Sequence, residues 1–153
     1  MSNQIRPLAI CIFRDGDRIL VGEGYDPVKR ETFYRPLGGG IEFGERAEEA
    51  LRREVREEIG AEIESPVYLF TLENIFTFNG EEGHEIVMIF DARFLDEDLY
   101  TQDSIAGTET VENRQLSFKA VWMRLDAFGP NAPLYPDGLL DALREDLSKA
   151  GQR

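Results

Sequence analysis

A single cysteine, a single histidine and a single tryptophan occur among the 153 residues, and lysine and arginine are outnumbered by acids, 17 against 30. Each scarcity excludes something. Cys11 has no partner for an internal disulfide, and its setting in Leu8-Ala9-Ile10-Cys11-Ile12-Phe13 reads as a packing thiol rather than a nucleophile. A net charge of −13, with no basic arm or lysine-rich run, argues against a nucleic-acid polymer as partner, because cationic side chains facing phosphates supply most of that affinity. No apolar run reaches the length of a membrane span, and Met1-Ser2-Asn3-Gln4 lacks the charged start and apolar stretch of a signal peptide, so no membrane partner and a cytoplasmic location are expected. His84 follows Gly83 at a strand start and reads as a turn or surface residue rather than a proton shuttle.

What is present suits one mixed α/β domain over residues 1–153. The chain carries 42% hydrophobic and 31% charged residues, with no repeats or low-complexity tracts. Residues 7 to 13 and 18 to 22 read as strands joined by Asp15-Gly16-Asp17, residues 23 to 32 as a polar loop, and Phe33-Tyr34-Arg35 as a short strand. Residues 67 to 78 and 85 to 95 read as a second hairpin joined around Asn79 to Gly83. The polar stretch from Asp96 to Arg114 predicts a surface loop or lid, after which Ser117 to Arg124 resumes strand character. Past Pro130, Pro133 and Pro136, a helix is expected with Asp137 as N-cap, Leu139, Leu140, Leu143 and Leu147 on one face, and Gly151 at its end.

The stretch from Gly39 to Ala61 is the most informative. Gly39 is followed after five residues by Glu45, and after seven more by Arg53-Glu54-Val55-Arg56-Glu57-Glu58-Ile59-Gly60. Strong helix formers and the absence of proline before Pro66 predict a helix from about Glu45 to Ile59, closed by Gly60. At 100° per residue, Ala47, Ala50, Leu51, Val55 and Ile59 make an apolar arc; Glu54 and Glu58 fall within it and Glu57 flanks it. Glu48 and Glu49, with Arg52 and Arg56, supply the ordinary solvated face. Carboxylates about 5 to 6 Å apart repel by about 3 kcal/mol at an effective dielectric of about 20. A divalent cation relieves that repulsion, and Mg²⁺ or Mn²⁺ takes oxygen ligands while keeping waters. Gly38, Gly39 and Gly40, lacking Cβ, let the main chain approach such an ion or a phosphate. Bound cations also reverse the local charge, so an acidic protein can still hold a nucleotide.

These residues resemble the signature box of the Nudix hydrolases, which cleave nucleoside diphosphates linked to another moiety. Gly39, Glu45, Arg53, Glu54, Val55, Glu57, Glu58 and Gly60 occupy pattern positions. Ala61 replaces a bulky aliphatic, and Leu37 stands where many members have a proline, with Pro36 one place earlier. The resemblance implies an α/β/α sandwich with a mixed, partly antiparallel sheet, covering about residues 6 to 145. It implies that Glu54, Glu57 and Glu58, with a backbone carbonyl of Gly38 or Gly39, bind Mg²⁺ (Mn²⁺ as an alternative), with Glu54 also able to act as base. Glu45 and Arg53 would pair to hold loop and helix together, where the planar fork of arginine matters. Glu109 or Glu112 would add a ligand or the base. Arg35 is a candidate phosphate clamp, and Tyr34 and Phe76, with Phe33 and Phe78, can stack a base, although aromatics in strands commonly serve the core. The expected activity is metal-assisted attack of water on a diphosphate linkage of a small nucleotide-like substrate: a nucleoside triphosphate, nucleotide sugar or dinucleotide. The absence of a marker proline or tyrosine near Phe76 to Asn79 weighs against the ADP-ribose and diadenosine polyphosphate branches. A homodimer is compatible with the resemblance. The alternative is a non-catalytic Nudix-like nucleotide sensor, which a degenerate box would favour.

Overall fold

The computed structural model describes residues 3–151, with side chains as far as residue 146. Its centre is β1 (Ile5–Ile12), which is apolar on both faces because both faces are covered. Leu8, Ile10 and Ile12 join one buried cluster, while Ala9, Cys11 and the following Phe13 join the other. Cys11 is fully buried, and burial pushes its thiol well above the usual range, as befits a packing residue.

β1 pairs antiparallel with β5 (Leu37–Gly40) and parallel with β7 (Glu81–Phe94), which pairs antiparallel with β6 (Ile63–Phe78). The mixed sheet therefore has the order β5-β1-β7-β6. A second, antiparallel sheet contains β2 (Arg14–Asp15), β3 (Arg18–Asp26), β9 (Arg114–Arg124) and β8 (Ser104–Val111), with β4 (Glu31–Arg35) beside β3. Helix α1 (Ala47–Ile59) buries Ala50, Leu51 and Val55 in the cluster with Cys11. Helix α2 (Leu139–Gly151) buries Leu139 and Leu143 in the cluster with Ile10. This is the expected α/β/α arrangement. Leu147 lies outside the described side chains.

Several boundaries differ from the sequence expectation. The supposed loop from Asp96 to Arg114 holds a 3₁₀ turn (Glu97–Thr101) and all of β8, paired with β9 from Ser104↔Val121 to Val111↔Arg114. Its two-residue turn, Glu112-Asn113, has φ of 50° and 64°, the conformation of a tight hairpin without the usual glycine. Residues 23 to 32 are mostly strand, with β3 running to Asp26 and β4 starting at Glu31. Asp26, buried at that bend, accepts N–H bonds from Val28, Lys29 and Asn79. The second hairpin turns at Asn79-Gly80 alone, and β6 begins at Ile63 with irregular register near Ser65 and Leu69. Helix α1 starts at Ala47 because Arg46 takes the cap position, accepting the Ala50 N–H, while Glu45 belongs to the preceding turn. Its end is as expected, with Gly60 at φ 68° bonded to the Arg56 carbonyl. Asp137 does not cap α2: Gly138 accepts the first helical N–H, from Ala142, and the Asp137 N–H points to Asn74.

Gly38 has φ of 143°, and a Cβ there would collide with the Ala9 carbonyl oxygen of β1. Gly16 has φ of 64° in open space. Gly38→Ala should therefore cost about 3 kcal/mol or more in urea unfolding, whereas Gly16→Ala should cost only about 1 kcal/mol, the left-handed backbone penalty. Equal costs would remove the close approach of β5 to β1.

Candidate active site

Beside the buried Leu51 and Val55 on α1, Glu54 and Glu58 lie against the glycines of β5. A Cβ on Gly39 would strike the Glu54 carboxylate, so only glycine allows β5 to lie beside that side chain. Arg53 ties the parts together. Its Nε and Nη2 donate to Glu45 Oε2 and Oε1 at 2.8 and 2.9 Å, and Nη2 also donates to the Gly40 carbonyl at 2.9 Å. Its Nη1 donates to Glu54 Oε1 at 3.0 Å and Glu57 Oε2 at 3.2 Å. The bidentate bond pulls the Glu45 carboxyl down to about 2 and pushes the Arg53 guanidinium further up.

Glu58, one turn further on from Glu54, accepts the Gly38 N–H at 3.0 Å. Burial pushes its carboxyl up to about 8; Glu54 and Glu109 add to the rise, against the Gly38 bond and Arg35. Glu54 is also raised, first by burial and then by Glu57 and Glu42, with Arg53 opposing. Two desolvated, mutually repelling carboxyls beside the three glycines of β5 fit a hard cation, which favours their charged forms. Among the described residues no three acidic, His or Cys side chains converge on one point. The oxygens of Glu54 and Glu57 are turned toward Arg53, and Glu58 toward Gly38.

These residues line one end of a cleft of about 710 Å³. Arg35, Gly38, Gly39, Phe76 and Glu109 also line it, so β4, β5, β6 and β8 meet α1 there. Glu112 does not: it sits on the hairpin turn beyond Glu109. Tyr34 is a correction. Strand alternation turns it away from Phe33 and Arg35, and its ring packs against Phe128, 6.0 Å between centroids, in the core beneath α2. His84 lies within β7 rather than at a turn, half-buried, with Nε2 buried and unpartnered. The cleft continues past the glycines to Phe33, Phe78, Asn74 and Glu85. The latter two were not singled out from sequence, although Glu85 shares the phase of Val87 and Ile89 on the buried face of β7.

Because Arg53 and Glu45 are mostly buried and bidentate, Arg53→Lys should keep the charge yet destabilise the fold by about 1 to 2 kcal/mol. Depression of Glu45 from 4.5 to about 2 contributes stability that is complete above pH 4.5 and lost as pH falls toward 2. Acid unfolding of Glu45→Gln should accordingly show a shallower loss over that window; a profile parallel to wild type would contradict the ion pair.

Comparison with known proteins matches the NUDIX domain to residues 4–139. The NAD-capped RNA hydrolase NudC of Pseudomonas aeruginosa is 28% identical over 127 residues, 83% of this chain and 39% of that protein. The nucleoside triphosphatase NudI of Salmonella paratyphi B is 38% identical over 87 residues, 52% of this chain and 62% of that protein. The matched part thus spans less than two thirds of either relative. The solved structure of a MutT NUDIX hydrolase from Burkholderia pseudomallei shares the fold, with a TM-score of 0.61 at 22% identity, covering 92% of this chain and 98% of that one. With the family match running from the first strand to the start of α2, this chain belongs to the NUDIX domain family.

Proposed function

We propose that this chain is a divalent-metal-dependent hydrolase that cleaves a diphosphate linkage in a nucleoside triphosphate, nucleotide sugar or dinucleotide. One observation carries the reading: Glu54, Glu57 and Glu58 of α1 open into the same cleft as the glycine strand, Arg35 and a set of aromatic rings. Glu54, Glu57 and Glu58, with a carbonyl of Gly38 or Gly39, would hold Mg²⁺ or Mn²⁺. When bound, such an ion offsets phosphoryl charge and lowers the pKa of water.

The protein's own groups have separable tasks. Arg53 and Glu45 hold α1 and β5 together, so that the three carboxylates share one cleft. Arg35 presents a planar donor fork to phosphate oxygens. Glu109 lines the same cleft and adds to the upward shift of the Glu58 carboxyl, and it or Glu54 would take the proton of the attacking water. The relatives support the substrate class, since NAD and nucleoside triphosphates both contain a phosphoanhydride. NudC is an NAD-capped RNA hydrolase, but a net charge of −13 here favours a free small molecule over a polymer.

Release of phosphate or pyrophosphate from a panel of these compounds should depend on Mg²⁺ or Mn²⁺ and cease with chelator. Glu57→Gln should lower turnover by roughly a hundredfold or more, the scale of one catalytic group, while circular dichroism stays unchanged. Near-normal turnover in Glu57→Gln would remove that residue from the site. Silence across the panel, with nucleotide still raising the unfolding temperature, would assign a sensor instead.

A further inference from the structure

Three polar side chains are buried among the described residues: Asp26, Asn74 and Glu85. Asp26 is fully engaged by backbone N–H groups. Asn74 and Glu85, only 5% and 4% exposed, are not. They are direct cross-strand partners on β6 and β7, and both line the cleft at its far end from α1. Asn74 Nδ2 lies 3.4 Å from Glu85 Oε1, a long contact, and Arg6 Nη1 lies 3.8 Å from Oε2 on a side chain that is 62% exposed at the lip. The Asn74 Oδ1 accepts the Asp137 N–H, which orients the amide so that Nδ2 faces Glu85. A buried carboxylate with no short hydrogen bond is costly unless a ligand completes it.

The surroundings are flat and apolar. Phe76, in phase with Asn74, lies over its cross-strand partner Gly83, where any Cβ would strike the ring; Phe33 lies over Gly24 in the same way. Both rings line the cleft, and Phe33 meets Phe78 edge-on at 5.7 Å between centroids. Rings pressed flat on glycines offer faces for stacking a planar ligand.

We infer that Asn74 and Glu85 form a nucleobase-reading subsite selective for guanine. Asn74 offers an N–H donor, and the Glu85 carboxylate offers acceptors. The Watson–Crick edge of guanine presents the complement: the O6 acceptor, then the N1–H and N2–H donors, which a carboxylate takes bidentately. Hypoxanthine lacks the N2 donor. Adenine places its N6 donors toward Asn74 and its N1 lone pair toward the carboxylate, so both contacts fail. Uracil keeps O4 and N3–H but turns O2 against Glu85. The inference rests on the hydrolase reading only in taking the α1 end of the cleft as the phosphate end.

The test uses wild-type protein and nucleoside monophosphates, which contain no anhydride to cleave. Calorimetry with Mg²⁺ should rank GMP tightest, IMP weaker and AMP weakest, GMP exceeding AMP by roughly tenfold to a hundredfold, as expected for a bidentate pair. Glu85→Gln should bring GMP and AMP to within a few-fold of each other, a change of ratio that general loss of stability would not produce. Equal binding of GMP and AMP, preference for AMP, or binding of neither overturns the inference, even if triphosphates are hydrolysed. Guanine preference without hydrolysis of any nucleoside triphosphate, nucleotide sugar or dinucleotide leaves the subsite standing and removes the hydrolase reading.

Discussion

The five hydrogen bonds of Arg53 are the constraint on which the candidate site depends. A single guanidinium joins Glu45 in the turn before α1, the Gly40 carbonyl on β5, and Glu54 and Glu57 on the helix. Without that fork, β5 and α1 would keep only the Gly38 N–H bond to Glu58 beside the apolar packing behind them. Lysine could match the charge but not the simultaneous directions, which is why an arginine stands at the centre of an acidic face. The guanidinium also offsets part of the repulsion among the glutamates, while Glu58, beyond its reach, carries the largest upward shift.

The glycines turn this into a continuous cleft. Gly38 accommodates the close passage of β5 along β1, Gly39 the Glu54 carboxylate, and Gly40 the Arg6 side chain at 3.4 Å from where its Cβ would stand. With no side chains to block the edge of the mixed sheet, the carboxylates on the α1 side and the Asn74–Glu85 pair on the α2 side open into one space. A ligand with an anionic end and a planar end matches that division.

Much of this was legible because it follows from spacing. The helix, its Gly60 end and the in-phase glutamates come from the 3.6-residue period, and the second hairpin from two strand-like runs flanking Asn79 to Gly83, although its turn is shorter than that stretch. The β8–β9 hairpin was hidden because Glu112-Asn113 adopts a tight-turn conformation with residues that ordinarily signal solvent, and β8 mixes Ser, Gly, Thr and Glu with its few apolar residues, so it read as a loop. Tyr34 was misplaced because membership of an aromatic run does not say which face alternation assigns. Asn74 and Glu85 were missed because their significance lies in being cross-strand partners, a register that no local pattern states.

The most direct test is Mn²⁺ binding by electron paramagnetic resonance to wild type, Glu57→Gln, Glu58→Gln and Glu48→Gln, the last altering the exposed, opposite face of α1. The account predicts wild-type affinity in Glu48→Gln and losses of roughly tenfold or more in the other two, the scale on which site residues affect metal affinity. Equal affinity in all four proteins, or a loss confined to Glu48→Gln, would contradict the assignment of the cleft-facing glutamates as the metal site.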